Sequence, residues 1–166
     1  MERNLGLEEI YQLYFQDVYH YVFTLCKNVQ LTEDIVQETF YRAYFYVESY
    51  DDEKIRPWLF KVAYHTFIDF WRKDKRVVYV EEPFTEAKMS QSAESEFFTK
   101  HEINEWFQAV QRLSIQKRTA IVLRDYYHFS YQEIANVLDM TLANVKVTIF
   151  RARNEVQKYL TSSNKG

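Results

Sequence analysis

An all-α protein, with two small helical domains joined by a flexible linker, is the fold this sequence predicts. Three observations predict it. Glycine occurs only at Gly6 and Gly166 and proline only at Pro57 and Pro83, so the 166 residues hold few of the turn formers that hairpins and long loops need. Apolar residues recur at helical rather than alternating spacing over most of the chain. That periodicity breaks once, at 77–95 (VVYVEEPFTEAKMSQSAES), a stretch with Pro83 and a Ser/Glu-rich end. The break separates a domain at 1–76 from one at 96–166. A hydrophobic share of 47% against 27% charged is enough for each to fold.

The elements follow in order. Apolar spacing places a first helix over Leu7 to Lys27, a second over Thr32 to Ser49 with Thr32 as N-cap, and a third over Pro57 to Lys73, its proline in the first turn. Beyond the break come helices near Glu96 to Leu113, Ile115 to Tyr127, Tyr131 to Leu138 and Leu142 to Leu160. Ser114, Ser130 and Thr141 stand as their caps, and Ser130 with Glu133 spells a capping box.

Composition excludes several functions. Two isolated glycines cannot bring backbone amides against a phosphate, which rules out P-loop and Rossmann sites. Cys26 is the lone cysteine, so there is no internal disulfide and no Cys-x-x-Cys zinc site, as suits a reducing compartment. His20, His65, His101 and His128 form no His-Glu-x-x-His, and Asp17/His20 and Asp125/His128 lack the glutamates of a di-iron bundle. No metal, cofactor or catalytic residue is expected. The opening Met-Glu-Arg-Asn-Leu-Gly lacks the basic-then-apolar order of a signal peptide, and no apolar run approaches the ~18 residues of a membrane span. The expected protein is soluble and cytoplasmic.

Net charge is only -3, but its distribution is uneven. Basic against acidic residues number 3 to 8 over 1–50, 7 to 5 over 51–76, 2 to 7 over 77–105 and 9 to 4 over 106–166. Two basic segments are therefore available to a polyanion.

The C-terminal basic segment reads as a helix-turn-helix. Ile134, Ala135 and Leu138 form the apolar side of its first helix, Asp139, Met140 and Thr141 the turn, and Leu142, Val145, Ile149, Ala152 and Val156 the inward side of the second. Asn144, Val147, Thr148 and Arg151 then share the outward side. An amide, a β-branched pair and an arginine suit adenine, thymine-methyl and guanine contacts in a major groove, flanked by Lys146, Arg153 and Lys158 for phosphates. In the earlier basic segment Trp58, Phe60, Tyr64, Phe67, Phe70 and Trp71 interleave with Arg56, Lys61, Arg72, Lys73, Lys75 and Arg76. Base stacking with backbone neutralisation is single-strand chemistry. Phe60, Tyr64, Phe67 and Trp71 make one apolar side, which leaves other rings exposed. The second helix, with Val36, Phe40, Ala43, Tyr44 and Val47 inward, presents Asp34, Gln37, Glu38, Tyr41 and Phe45 outward, a face suited to a basic partner helix.

In order, Asp34-Ile-Val-Gln-Glu38-Thr-Phe40, then Trp58 to Ala63 running to Ile68-Asp69 and Arg72-Lys73, then the helix-turn-helix ending Phe150-Arg-Ala-Arg153, the chain resembles the extracytoplasmic-function sigma factors of the bacterial sigma-70 family over about residues 7 to 160. The resemblance implies that 1–76 is sigma region 2 and 96–166 sigma region 4. It implies docking of Asp34, Gln37, Glu38 and Tyr41 on core RNA polymerase, whose β′ and β subunits are partners. It implies minus-10 contacts by Trp58, Lys61, Tyr64, His65, Trp71, Arg72, Lys73, Lys75 and Arg76, and minus-35 contacts by Asn144, Lys146, Val147, Thr148, Arg151 and Arg153. Promoter DNA and a membrane-bound anti-sigma factor complete the partners; there is no small-molecule substrate, and nucleotidyl transfer belongs to the core enzyme. The chain departs from the usual pattern in having Ala63-Tyr64-His65 where Ala-Arg-Asn is common, Asp139 at a turn position where glycine is usual, and Val147-Thr148 where polar readers are frequent. The alternative is a stand-alone helix-turn-helix regulator, which would leave the acidic face and the aromatic-basic segment without a purpose.

Overall fold

The computed structural model describes residues 6–46, 52–73 and 100–163. They fall into two compact units, one within Met1–Glu82 and one within Pro83–Gly166. Only helices join these residues into regular structure.

The first unit has three helices, α1 (Leu7–Cys26), α2 (Val29–Tyr46) and α3 (Asp52–Lys73), each packed on the other two. Its core takes Val18, Tyr21, Val22 and Leu25 from α1, Ile35, Val36, Phe40 and Ala43 from α2, and Leu59, Phe60, Ala63 and Phe67 from α3. Each large side chain so buried contributes ~1.5–3 kcal/mol. The Tyr21 and Phe60 rings meet at 4.7 Å. Burial lowers the His20 pKa from 6.5 to about 4, and burial, with Tyr64 second, holds the Tyr21 phenol well above its ordinary value.

The α1–α2 turn departs from expectation. Lys27 closes α1 in the left-handed region (φ 49°), its amide bonding Phe23 O at 2.8 Å. Asn28, not Thr32, caps α2: its carboxamide oxygen accepts from the Leu31 amide at 2.9 Å. Thr32 is inside the helix, its hydroxyl 2.7 Å from the Asn28 carbonyl and 3.1 Å from Cys26 Sγ. Asparagine is the stronger cap, and it stands four residues earlier. Pro57 is likewise interior, because α3 begins at Asp52. The bond that proline cannot donate falls in the second turn, and buried Ile55 anchors the turn before it.

The second unit comprises α4 (Lys100–Val110), α5 (Ile115–Ile121), α6 (Tyr131–Leu138) and α7 (Leu142–Ser163), with α7 packed on the other three. Ser114 caps α5 by accepting from the Lys117 amide, and Arg118 closes the preceding turn onto the Gln111 and Leu113 carbonyls at 2.9 and 3.2 Å. The helix expected to run on to Tyr127 instead widens into a π-helical turn, Val122–Tyr126, with the Tyr127 amide on Val122 O at 3.1 Å. His128 follows at φ 60° and buried Phe129 ends the passage. The Ser130–Glu133 capping box is present, with bonds of 3.1 and 2.8 Å. Thr141 Oγ1 accepts from the Asn144 amide at 3.1 Å, as the sequence implied for the cap of α7. Asp139 adopts the left-handed conformation (φ 52°, ψ 49°) that the turn requires.

Three residues expected inward are exposed: Tyr44 (64%), Trp71 (42%) and Leu142 (41%). Tyr44 and Trp71 lie within two residues of a helix's described end and Leu142 opens α7. Helical spacing assigns a direction, but burial also needs a neighbouring helix at that height. Val47, Ser49, Lys75, Arg76, 77–95 and the expected start at Glu96 lie outside the described residues.

Candidate protein-docking and nucleic-acid faces

The first face is the outer side of α2. Packing Ile35, Val36, Thr39, Phe40 and Ala43 inward turns Asp34, Gln37 and Tyr41 to solvent with Glu38 beside them. Local bonds on this face are weak. Gln30 Nε2 donates to Asp34 Oδ1 at 3.3 Å, and Arg42 Nε to Glu38 Oε1 at 3.1 Å, with both partners of that ion pair exposed. Toward the C-terminal end the face becomes aromatic. Tyr41 and Phe45 meet edge-on at 5.1 Å, and Phe45 and Tyr44 at 5.4 Å.

That aromatic end borders the second face. Tyr46 of α2 lies 6.0 Å from Trp58 of α3, and Arg42, Phe45, Tyr46, Trp58 and Val62 line an open cleft of roughly 670 Å³. Along α3, Trp58, Lys61, His65 and Arg72 follow one line opposite buried Leu59, Ala63 and Phe67. Tyr64 flanks it, with its ring 5.5 Å from that of His65, and Phe70, Trp71 and Lys73 are exposed at the end. Phe60 and Phe67 are core, so the rings of this segment divide between packing and surface.

The third face belongs to α7. Val145, Ile149, Ala152 and Val156 are buried, which leaves Asn144, Lys146, Val147 and Arg151 exposed and Thr148 half-buried. Phe150 is 66% exposed on the same helix, an aromatic that spacing had not singled out. Arg153 donates from Nε to Asp125 Oδ2 at 3.1 Å and from Nη2 to Asp125 Oδ1, which raises its pKa. Asp125 thus serves an arginine, while Asp17 lies 4.0 Å from Arg56. Among the described residues no three carboxylate, histidine or cysteine groups converge as a metal site. Lys117 pairs with Glu155 at 2.5 Å, clamping α5 to α7. Sequence reasoning also missed Arg124 and Tyr131, in van der Waals reach across the π turn with the guanidinium carbon 4.3 Å from the ring centroid. Nothing in linear spacing pairs them, because a widened turn sets their approach.

Comparison with known proteins assigns a family to each unit. The family described as sigma-70 region 2 matches residues 10–77, and that described as sigma-70, region 4, matches 103–156. The ECF RNA polymerase sigma factor SigM of Bacillus subtilis is 35% identical over 154 residues, covering 92% of this chain and 94% of its own. The chain belongs to the extracytoplasmic-function sigma factors of the sigma-70 family. A second Bacillus subtilis relative, RNA polymerase sigma factor YlaC, is 30% identical over 98% of this chain and 96% of its own. The fold of this sigma factor is also similar to RpoE of Bartonella quintana, solved in complex with the anti-sigma factor NepR, at a TM-score of 0.74 and 23% identity over 93% of this chain and 96% of that one. It is an alternative sigma factor, a DNA-binding initiation subunit of RNA polymerase, and such factors act without enzymatic chemistry of their own. No helix among the described residues is long and apolar enough to cross a membrane.

Proposed function

We propose that the three faces divide the work of promoter recognition. The outer side of α2, through Asp34, Gln37, Glu38 and Tyr41, docks on core polymerase at its β′ subunit. Trp58, Lys61, Tyr64, His65, Trp71, Arg72 and Lys73, with Lys75 and Arg76 beyond them, hold the opened minus-10 strand by stacking and charge. The second unit reads the minus-35 duplex with Asn144, Val147, Thr148 and Arg151, and Lys146 and Arg153 lie at the phosphate edge. The domain bounds are 1–76 and 96–166 with 77–95 as linker. An anti-sigma factor held at the membrane restrains the protein in the cytoplasm, and nucleotidyl transfer stays with the core enzyme.

The observation that supports this best is the exposure of Asp34, Gln37 and Tyr41 on a helix whose opposite side fills the core. The fold makes little use of them. Run-off transcription with bacterial core polymerase on a promoter library tests the whole reading. Transcripts that start only when this chain is added, from promoters sharing two spaced elements, are the expected result. Binding to palindromic DNA as a dimer, with no effect on core, would overturn it.

A further inference from the structure

Tyr131, the first residue of α6, gathers cations from two other elements. The Arg124 guanidinium, from the π-helical turn, lies 4.3 Å from the ring centroid, and the Lys146 ammonium, from α7, lies 5.8 Å from it. Arg124 is held from behind by its Nη1 bond to the Phe129 carbonyl at 2.9 Å. Among the described residues neither cation meets a carboxylate. The neighbouring Arg153 differs: Asp125 already neutralises it, and it meets the Tyr131 hydroxyl rather than the ring face. Two uncompensated charges around one ring are separated by roughly 10 Å at most, about one Debye length at 0.1 M salt, so they repel. Attraction to the ring face holds them there, and a shared anion would relieve the repulsion.

We propose that Tyr131 is a positioning residue: its ring presets Arg124 and Lys146 as a pair that takes a backbone phosphate of duplex DNA beside the recognition helix. This rests on the reading of the second unit as a duplex binder and adds the element that prepares its charge. The ring touches no DNA base in this scheme. It acts through the two cations, and so it matters for every sequence alike.

The test measures anisotropy of a labelled random-sequence duplex of about 30 bp with the full chain, between about 50 and 200 mM salt. Tyr131→Leu changes no charge, yet it should weaken binding roughly tenfold and reduce the slope of log K against log salt by about one. Tyr131→Phe, which keeps the ring, should stay within about twofold of wild type, since cation attraction resides in the ring face. Arg124→Gln should reduce the slope by about one, and adding Tyr131→Leu to it should cost less than Tyr131→Leu alone. Melting curves accompany each variant. If Tyr131→Leu unfolds the second unit, Arg124→Gln and Lys146→Gln decide instead, each lowering the slope at unchanged Tm. A wild-type slope in folded Tyr131→Leu, or in both cation variants, overturns the proposal while the duplex reading stands; so does an equal loss in Tyr131→Phe. A wild-type chain that binds no duplex overturns both.

Discussion

Reversing charge on the outer side of α2, by Asp34→Lys with Glu38→Lys, separates a docking role from a folding role. The structure sets the folding cost. Glu38 and Arg42 form an i,i+4 pair with side chains 42% and 44% exposed, an arrangement worth ~0.3–0.5 kcal/mol. Reversal removes it and places a like charge one turn from Arg42, a penalty of similar size. The Gln30–Asp34 bond at 3.3 Å is exposed and adds little. The fold should therefore lose ~1 kcal/mol, about 4–8 °C in Tm for a unit of this size. At a docked interface, like-charge contacts cost several kcal/mol, and each ~1.4 kcal/mol is tenfold in affinity, so binding to core should fall by ~100-fold or more. Titration of a labelled chain with core polymerase reads the affinity, and circular dichroism reads Tm. Wild-type affinity in the folded double variant refutes the docking assignment. A Tm drop far larger than the local bonds allow would show that the face serves the fold after all.

His20 makes the first unit acid-labile: its folded pKa of about 4 lies below the ordinary 6.5, so its contribution is complete above pH 6.5 and is lost as pH falls toward 4. Between about pH 6.5 and 5 this amounts to ~2 kcal/mol, and urea midpoints should show His20→Leu lacking that portion of the pH dependence. Arg151→Ala should cost ~1–3 kcal/mol and relax preference at one minus-35 base pair, whereas Lys158→Ala weakens all sequences alike; equal losses on every sequence for Arg151→Ala would make it a phosphate contact. Asn28→Ala should destabilise the first unit by ~1 kcal/mol and Thr32→Val by a different route, through its buried hydroxyl; a neutral Asn28→Ala in thermal melts contradicts the cap assignment.

What the sequence reveals follows from which forces are local. Tyr131–Leu138 has the predicted bounds because a Ser130–Glu133 box starts it and Asp139 can take the left-handed turn that ends it, both properties of adjacent residues. The outward faces of α2 and α7 were legible as the complement of their apolar sides. Cap competition was not: Asn28 and Thr32 are both good caps, and the choice depends on whether a hydroxyl finds a buried partner, here Cys26 Sγ. The start of α3 at Asp52 was not legible either, since a proline marks a first turn by preference only, and here the helix runs through Pro57 with Ile55 buried in the turn before it. Contacts between elements were least legible. The approach of Tyr46 to Trp58 joins the ends of α2 and α3, and the Arg124–Tyr131 contact depends on a π-helical turn that apolar spacing does not encode.

Charge balance by segment also overstates what a partner can use. The C-terminal surplus invites every arginine and lysine into a DNA contact, yet two of them are already paired with carboxylates of the fold. Arg153 is bonded twice to Asp125, which ties α7 to the π turn, and Lys117 is bonded to Glu155, which ties α7 to α5. Those pairs fix the recognition helix on its scaffold and neutralise themselves in doing so. Arg124, Lys146, Arg151 and Lys158 meet no carboxylate among the described residues and remain available to a polyanion. They are also spread over two elements, so the usable positive charge is a surface property of the packed unit and not of the helix-turn-helix alone. On the proposed reading, a partner phosphate would sense the geometry of the π turn as much as the sequence of α7. Removing Asp125 should disturb DNA binding twice, by leaving Arg153 at the phosphate edge without the carboxylate that orients it and by loosening the turn that carries Arg124.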